Sequence, residues 1–294
     1  MKTNEKEMFP FIPSVNFHLW EPCNMRCKFC FATFQDVKKQ LLPKGHLPKE
    51  QAIKLIHKIA DFGFKKITFV GGEPTLCPWL TELISLAKKR GLTTMIVTNG
   101  AQLNTKFLEL NKDKLDWVTL SIDSLNEDIN KASGRAVRGK KALSKESYYS
   151  LVNEIKRFDY KLKINTVVTI LNKDEQLTTF INYAMPDRWK IFQVLPIKGE
   201  NDEYIADFEI KLSDFNRFIE IQKDVSAKVP IVAEANFNMK DSYVMIDPAG
   251  RFFTNKSGEL RYSSPILQVG INEAYNEMEY NYSKFVERGG FYNF

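Results

Sequence analysis

Hydrophobic and polar positions along the chain follow two rhythms, one that alternates residue by residue and one that repeats every three or four. Short β-branched runs predict strands at 15–19, 66–70, 94–98, 117–121, 162–169 and 189–195. Amphipathic stretches lie between them. In 48–62, Ala52, Leu55, Ile56, Ile59 and Ala60 recur at helical spacing, which predicts a helix with one apolar face. Further helices are predicted from Pro78 to about Arg90, from about Thr105, from about Ser144 to Phe158 and near 173–184. The stretch after 121 reads as a long polar, glycine-containing loop. Strand–helix units in succession argue for parallel strands joined by right-handed crossovers. Six such units are too few to close an eight-fold barrel, so an open partial barrel is expected. The predicted fold class is therefore α/β, a partial (βα)6 barrel over 14–200 after a lead-in at 1–13. Residues 201–294, with a helix near 212–226 and strands near 242–247 and 251–254, are expected to form an extension that covers the barrel mouth and is not an independent domain.

Composition narrows the class. With 294 residues, 44% of them hydrophobic, the chain can bury a large core without disulfides. Its net charge of +6 is mild and not gathered into a basic block, which argues against a nucleic-acid partner and suits a polyanionic small substrate. The opening MKTNEKEMFPFIPS has acids and prolines where a signal peptide needs an apolar run. We therefore expect a cytoplasmic protein with no membrane partner.

Three of the four cysteines fall within eight positions, in Cys23-Asn24-Met25-Arg26-Cys27-Lys28-Phe29-Cys30, directly after the first predicted strand. A cubane iron–sulfur cluster has four irons held by thiolates, so three cysteines leave one iron without a protein ligand. An open iron can chelate the amino and carboxylate groups of S-adenosylmethionine. This spacing is identified as that of the radical S-adenosylmethionine (radical SAM) superfamily, with a 4Fe-4S cluster on Cys23, Cys27 and Cys30. A zinc site is the competing reading; it would need a fourth ligand, which His18 or His46 could supply. Cys77 reads as a small buried hydrophobe.

Gly71-Gly72-Glu73-Pro74 follows the second strand, where two glycines permit close backbone approach. Behind a cysteine triad this segment resembles the part of the superfamily that binds the methionine amino group. Asn99, after Thr98, and Ser121 end the next two strands and are candidates to hydrogen-bond the rest of the cofactor. Cations stand on the strands themselves. Alternation puts Lys66 on one face with Thr68 and Val70, Lys163 with Asn165, and Arg188 and Lys190 with Phe192. If those faces point inward, four cations share one lumen, and buried charge without partners implies an anionic ligand such as a triphosphate.

With these pieces in place the chain resembles the viperin family, through SVNFH at 14–18, CNMRCKFCF at 23–31 and KKITFVGGEP at 65–74. Further marks are SIDS at 121–124, KINTVV at 163–168, RWKIFQVLPIKGEN at 188–201, MKDSY at 239–243 and RGG at 288–290. The resemblance implies a dehydratase that converts a ribonucleoside triphosphate (CTP, UTP or GTP) to its 3′-deoxy-3′,4′-didehydro form, a chain terminator. It implies cleavage of the cofactor to a 5′-deoxyadenosyl radical, which takes the C4′ hydrogen. Loss of the 3′-hydroxyl as water follows, and then uptake of one electron and a proton. Carried over by motif, Lys66, Lys163, Arg188 and Lys190 would clamp the triphosphate with Asn165 beside them. Tyr243 and Lys163 would assist departure of the 3′-hydroxyl, and Arg135, in a loop longer than the family's, would contact the cofactor. An electron donor such as flavodoxin or ferredoxin is implied, and a monomer is expected. The amphipathic amino-terminal helix and the longer tryptophan-ended tail of animal members are not seen. A molybdenum-cofactor-type GTP cyclase of the same superfamily would want further cysteines after Cys77, and none is present. A non-catalytic nucleotide- or metal-binding protein is the reading from another class.

Overall fold

The computed structural model describes residues 11–294, so most of the lead-in at 1–13 lies outside the described residues. Strand β1 (Ser14–Trp20) and β2 (Lys66–Gly71) flank helix α1 (Lys49–Phe62), which buries Ala52, Leu55, Ile56 and Ile59 and stops at Gly63, in the left-handed region. Helix α2 (Leu80–Lys89), β3 (Thr93–Thr98), α3 (Thr105–Asn111) and β4 (Trp117–Ser121) continue the alternation. Then come α4 (Glu127–Ala132), α5 (Lys145–Arg157), β5 (Lys161–Val168), α6 (Thr178–Ala184) and β6 (Arg188–Gln193). Asn104 and Ser144 cap α3 and α5 by accepting hydrogen bonds from the first-turn N–H groups. All six strands pair in parallel in sequence order, as their alternation with helices predicts.

After α7 (Leu212–Ile221), the chain adds β7 (Ile231–Glu234) in parallel to β6. It then crosses to the other side of the barrel, where β8 (Val244–Ile246) pairs in parallel with β1. Antiparallel β9 (Arg251–Thr254) and β10 (Arg261–Pro265) follow, giving the order β10-β9-β8-β1-β2-β3-β4-β5-β6-β7 in one sheet. The late segment thus extends the sheet at both ends. Strands β7 and β10 go beyond the sequence expectation: each is short, and β7 follows Pro230 with only its last residue buried. Helix α4 stands where a loop was expected. It is held by polar contacts, with Asn126 capping its start and the buried Asn130 amide donating to Ser124 O, so no apolar period announces it. Helix α6 starts five residues later than expected, because its first turn is capped from afar by Gln222 Oε1, which accepts from Leu177 N. No helix among the described residues is long and apolar enough to cross a membrane.

Candidate active site

One cavity of about 600 Å³ runs through the barrel, a size typical of ligand sites. Alternation along the strands decides what faces it. Lys66, Thr68 and Val70 line it from β2, Lys163, Asn165 and Val167 from β5, and Arg188, Lys190 and Phe192 from β6. Their neighbours Ile67, Phe69, Ile164, Trp189 and Ile191 are buried in the core on the other face. Within the barrel, register sets Lys163 opposite Arg188 and Asn165 opposite Lys190.

The cysteine end comes first. Cys23, Cys27 and Cys30 all line the cavity from the loop at the carboxyl end of β1. Burial pushes the Cys27 thiol up to about 12 and Cys30 up to about 11, with the Arg135 cation opposing. The loop is pinned along its length. Gly72 N donates to Trp20 O at 2.5 Å and Glu73 N to Pro22 O at 3.0 Å. A Cβ on Gly72 would stand 2.0 Å from Glu21 O, so only glycine lets the end of β2 lie this close to the loop. On the other side Arg26 N donates to Gly134 O and Lys28 N to Ser133 O.

Glu73 lines the cavity too, and its carboxylate is tied into the wall. It is fully buried and accepts from Thr98 Oγ1 at 2.7 Å and Asn99 N at 2.8 Å, which fixes the end of β3. Asn99 Nδ2 in turn donates to Asn24 Oδ1 at 2.8 Å, inside the cysteine loop. Gly71, Gly72, Asn99, Ser121 and Arg135 line the cavity, whereas Pro74 does not and is buried behind it. Arg135 pairs with Asp123, whose Oδ2 accepts from its Nε at 2.5 Å, and it donates to Ser121 O at 3.2 Å. Burial alone would lower this guanidinium, but Asp123, helped by Cys27 and Tyr148, raises it further.

The cation end lies at the amino ends of the strands. A rise of about 3.3 Å per residue puts Lys66 roughly 16 Å from Gly71 along β2. Lys66, Lys163, Arg188 and Lys190 meet there with a fifth cation, Arg288, which the sequence reading passed over. Arg288 follows the last helix, Tyr282–Glu287, donates to Ser242 O at 2.7 Å and lies over the Tyr243 ring at 3.6 Å. A carboxylate was also missed. Glu234, at the end of β7, is fully buried and pairs with Lys190 and, at 3.8 Å, with Arg288. The Arg-Gly-Gly motif was the one available signal for Arg288; a four-residue strand offered none for Glu234.

Tyr243 bridges this pair, its hydroxyl accepting from Lys190 Nζ at 2.6 Å and donating to Glu234. Burial drives that phenol well above its usual value and drives Lys66 and Lys163 well below theirs, the neighbouring cations adding to the lysine shifts. Lys190 is pushed down to about 7 by burial, against the pull of Glu234. Asn165 Oδ1 and Arg188 Nε are buried with no hydrogen-bond partner among the described residues. The chain's end closes this side: Lys66 Nζ donates to Tyr292 OH at 2.7 Å, Arg188 donates to Gly289 O at 2.6 Å and lies 4.2 Å from the Tyr292 ring.

A partial parallel barrel with three cysteines at the end of its first strand, polar strand ends beside them and a deep lumen is that of a radical SAM enzyme. The radical SAM superfamily model matches residues 20–184. Among solved structures, native anSMEcpe with bound AdoMet superposes with a TM-score of 0.68 over 89% of this chain and 80% of that one, at 16% identity, a likeness of fold. An S-adenosylmethionine-dependent nucleotide dehydratase of Lacinutrix mariniflava is 57% identical over 96% of this chain, which spans 59% of that protein's length. One of Flammeovirga pacifica is 53% identical, over 96% of both chains. The chain belongs to this viperin-like family of the radical SAM superfamily.

The family's cofactors are S-adenosylmethionine and a 4Fe-4S cluster, and the residues present fit them. Cys23, Cys27 and Cys30 all line the same end of the cavity and supply the three thiols that such a cluster takes. Thiols held that high carry protons at neutral pH, and metal binding is what displaces such protons. Beside them the Gly71-Gly72 backbone and Asn99 leave a polar cradle that any Cβ on Gly72 would distort.

Proposed function

We propose that this chain dehydrates a ribonucleoside triphosphate, CTP, UTP or GTP, to its 3′-deoxy-3′,4′-didehydro analogue. The observation that carries this reading is the five-cation cluster facing a single carboxylate, at the far end of the same cavity from the three cysteines. Cations lacking partners in a buried site are stabilised by a polyanion, and a triphosphate is one that also brings a ribose. In this reading Lys66, Lys163, Arg188, Lys190 and Arg288 hold the phosphates, and Asn165 Oδ1 accepts from a sugar hydroxyl. The ribose then lies between cations and thiols. Cys23, Cys27 and Cys30 would hold the cluster; Gly71, Gly72, Asn99 and Ser121 the cofactor, with Glu73 and Arg135 positioning them. When bound, cluster and cofactor together supply the 5′-deoxyadenosyl radical that removes the C4′ hydrogen. In the same reading Tyr243, kept protonated by its burial, would turn from Glu234 to give a proton to the departing 3′-oxygen, with Lys163 as the second donor. Glu234 orients Tyr243 and Lys190 by hydrogen bonding both.

Residues 201–294 contribute Glu234, Tyr243, Arg288 and Tyr292 to this site and act, in the same reading, as part of one folding unit with the barrel. A cytoplasmic monomer served by a one-electron carrier fits it. The test is anaerobic reconstitution with dithionite and S-adenosylmethionine, with CTP, UTP, GTP and ATP offered separately. The expected products are 5′-deoxyadenosine and, with one of these bases, a nucleotide lighter by one water in the mass spectrum. Cofactor cleavage with every nucleotide unchanged would overturn the dehydratase reading.

A further inference from the structure

Two loops flank the cysteine site on the outside, and they form one surface. Backbone hydrogen bonds join Arg26 to Gly134, Lys28 to Ser133 and Arg138 to Asn24. The contact is close: Gly134 has φ +81°, and a Cβ there would meet Arg26 O at 2.0 Å. No acidic residue occurs in 22–35 or in 129–145. Arg26 and Lys28 from the first loop, and Arg138, Lys140 and Lys141 from the second, are all exposed. Elsewhere in the same region Lys131 is paired with Glu127 and Asp128, and Arg135 with Asp123. The five exposed cations make no ion pair among the described residues. Lys28 Nζ lies 5.8 Å from the Tyr204 ring, and Glu200 is turned inward, accepting from Thr33 N and Phe34 N.

We infer that this basic face is where an acidic one-electron carrier protein of the flavodoxin class docks to reduce the cluster. The chain has one cysteine triad, and its remaining cysteine, Cys77, is buried in the core. An electron for that triad must therefore arrive through the protein surface nearest to it, and electron transfer weakens steeply with distance. The surface nearest to it is the surface just described. Unpaired lysines and arginines gathered around an entry point steer an acidic partner and set its orientation. At docking one electron leaves the reduced carrier and one is gained at the cluster; no bond or proton is exchanged there. The inference rests on the cluster and not on which nucleotide is dehydrated.

The test titrates purified oxidised flavodoxin into the full, reconstituted chain by calorimetry at low and high salt. The wild type is compared with a Lys28→Glu, Lys140→Glu, Lys141→Glu variant, with its Gln counterpart and with a control carrying Lys223→Glu and Lys228→Glu, both exposed and far along the chain. Docking here predicts at least a tenfold loss of flavodoxin affinity in the Glu variant, a smaller loss in the Gln variant and none in the control. Wild-type binding should weaken with salt. Cofactor cleavage driven by dithionite should stay within twofold of wild type in every variant. Equal affinity in the Glu variant and wild type would overturn the inference, as would an equal loss in the control. Loss of dithionite-driven cleavage in the Glu or Gln variant would overturn it too, since these lysines would then serve the site itself. Lost binding of single-stranded RNA with flavodoxin binding intact would assign the face to nucleic acid instead. Failure of dithionite cleavage in the wild type would sink the cluster reading separately.

Discussion

At the scale of single residues, the site is a problem of charge. Lys190 carries a folded value near 7 against an ordinary 10.5, so between those values the unfolded chain binds a proton that the ligand-free fold does not. Stability of the ligand-free protein should therefore rise with pH through that window. A polyanion reverses the preference, because it favours the charged ammonium. Binding of inorganic triphosphate should then take up protons at pH 8, and affinity should weaken as pH rises above about 7. Calorimetry in buffers of differing ionisation enthalpy reads this directly, and zero proton uptake at pH 8 would contradict it. Glu234→Gln removes the carboxylate that holds Lys190 up, so the onset of that weakening should move to lower pH. The cysteines and the four strand cations were legible in the sequence because each rests on a short-range rule, thiol spacing or strand alternation. Glu234 and Arg288 were not. What makes them part of the site is the joining of β7 to β6 and the return of the chain's end to the amino side, both long-range events.

At the scale of elements, the barrel was readable because every strand from β1 to β6 is bounded by turn residues and followed by a helical period. Polar anchoring hid the rest, as with Asn126 and Asn130 in α4 and Gln222 at the start of α6. The contact between the cysteine loop and 133–138 belongs to this scale. Gly134 combines a left-handed backbone with a position where a Cβ would stand 2.0 Å from Arg26 O, so Gly134→Ala must move one loop off the other. A cost of roughly 1–3 kcal/mol is expected from the strained backbone alone. The measurable result is a lower midpoint in urea together with under one-third of the wild-type iron content after reconstitution. Wild-type iron in a destabilised protein would show that the second loop does not support the first.

At the scale of the whole molecule, the cavity has a thiol end and a cation end, and residues 289–294 shut the latter. Tyr292 contacts Lys66 and Arg188, stands edge-on to Trp117 at 5.6 Å, and Asn293 O accepts from Lys161. Excluding water there keeps the cations' field strong, since charge interactions weaken in high dielectric. Tyr292→Ala should weaken triphosphate affinity about tenfold, close to 1.4 kcal/mol. Its salt dependence should steepen, and dithionite-driven cofactor cleavage without nucleotide should be unaffected. Unchanged affinity in filter binding would remove the end segment from the site.

The pairing of β8 with β1 also governs how the protein is made. Strand β1 leads into the cysteine loop and leaves the ribosome more than 200 residues ahead of β8, one of its two partners. Until residues 244–246 emerge, β1 is an open sheet edge, the kind of surface on which nascent chains pair wrongly with one another. Chain pauses or truncations upstream of β8 should thus send this protein into aggregates during synthesis, before any question of catalysis arises.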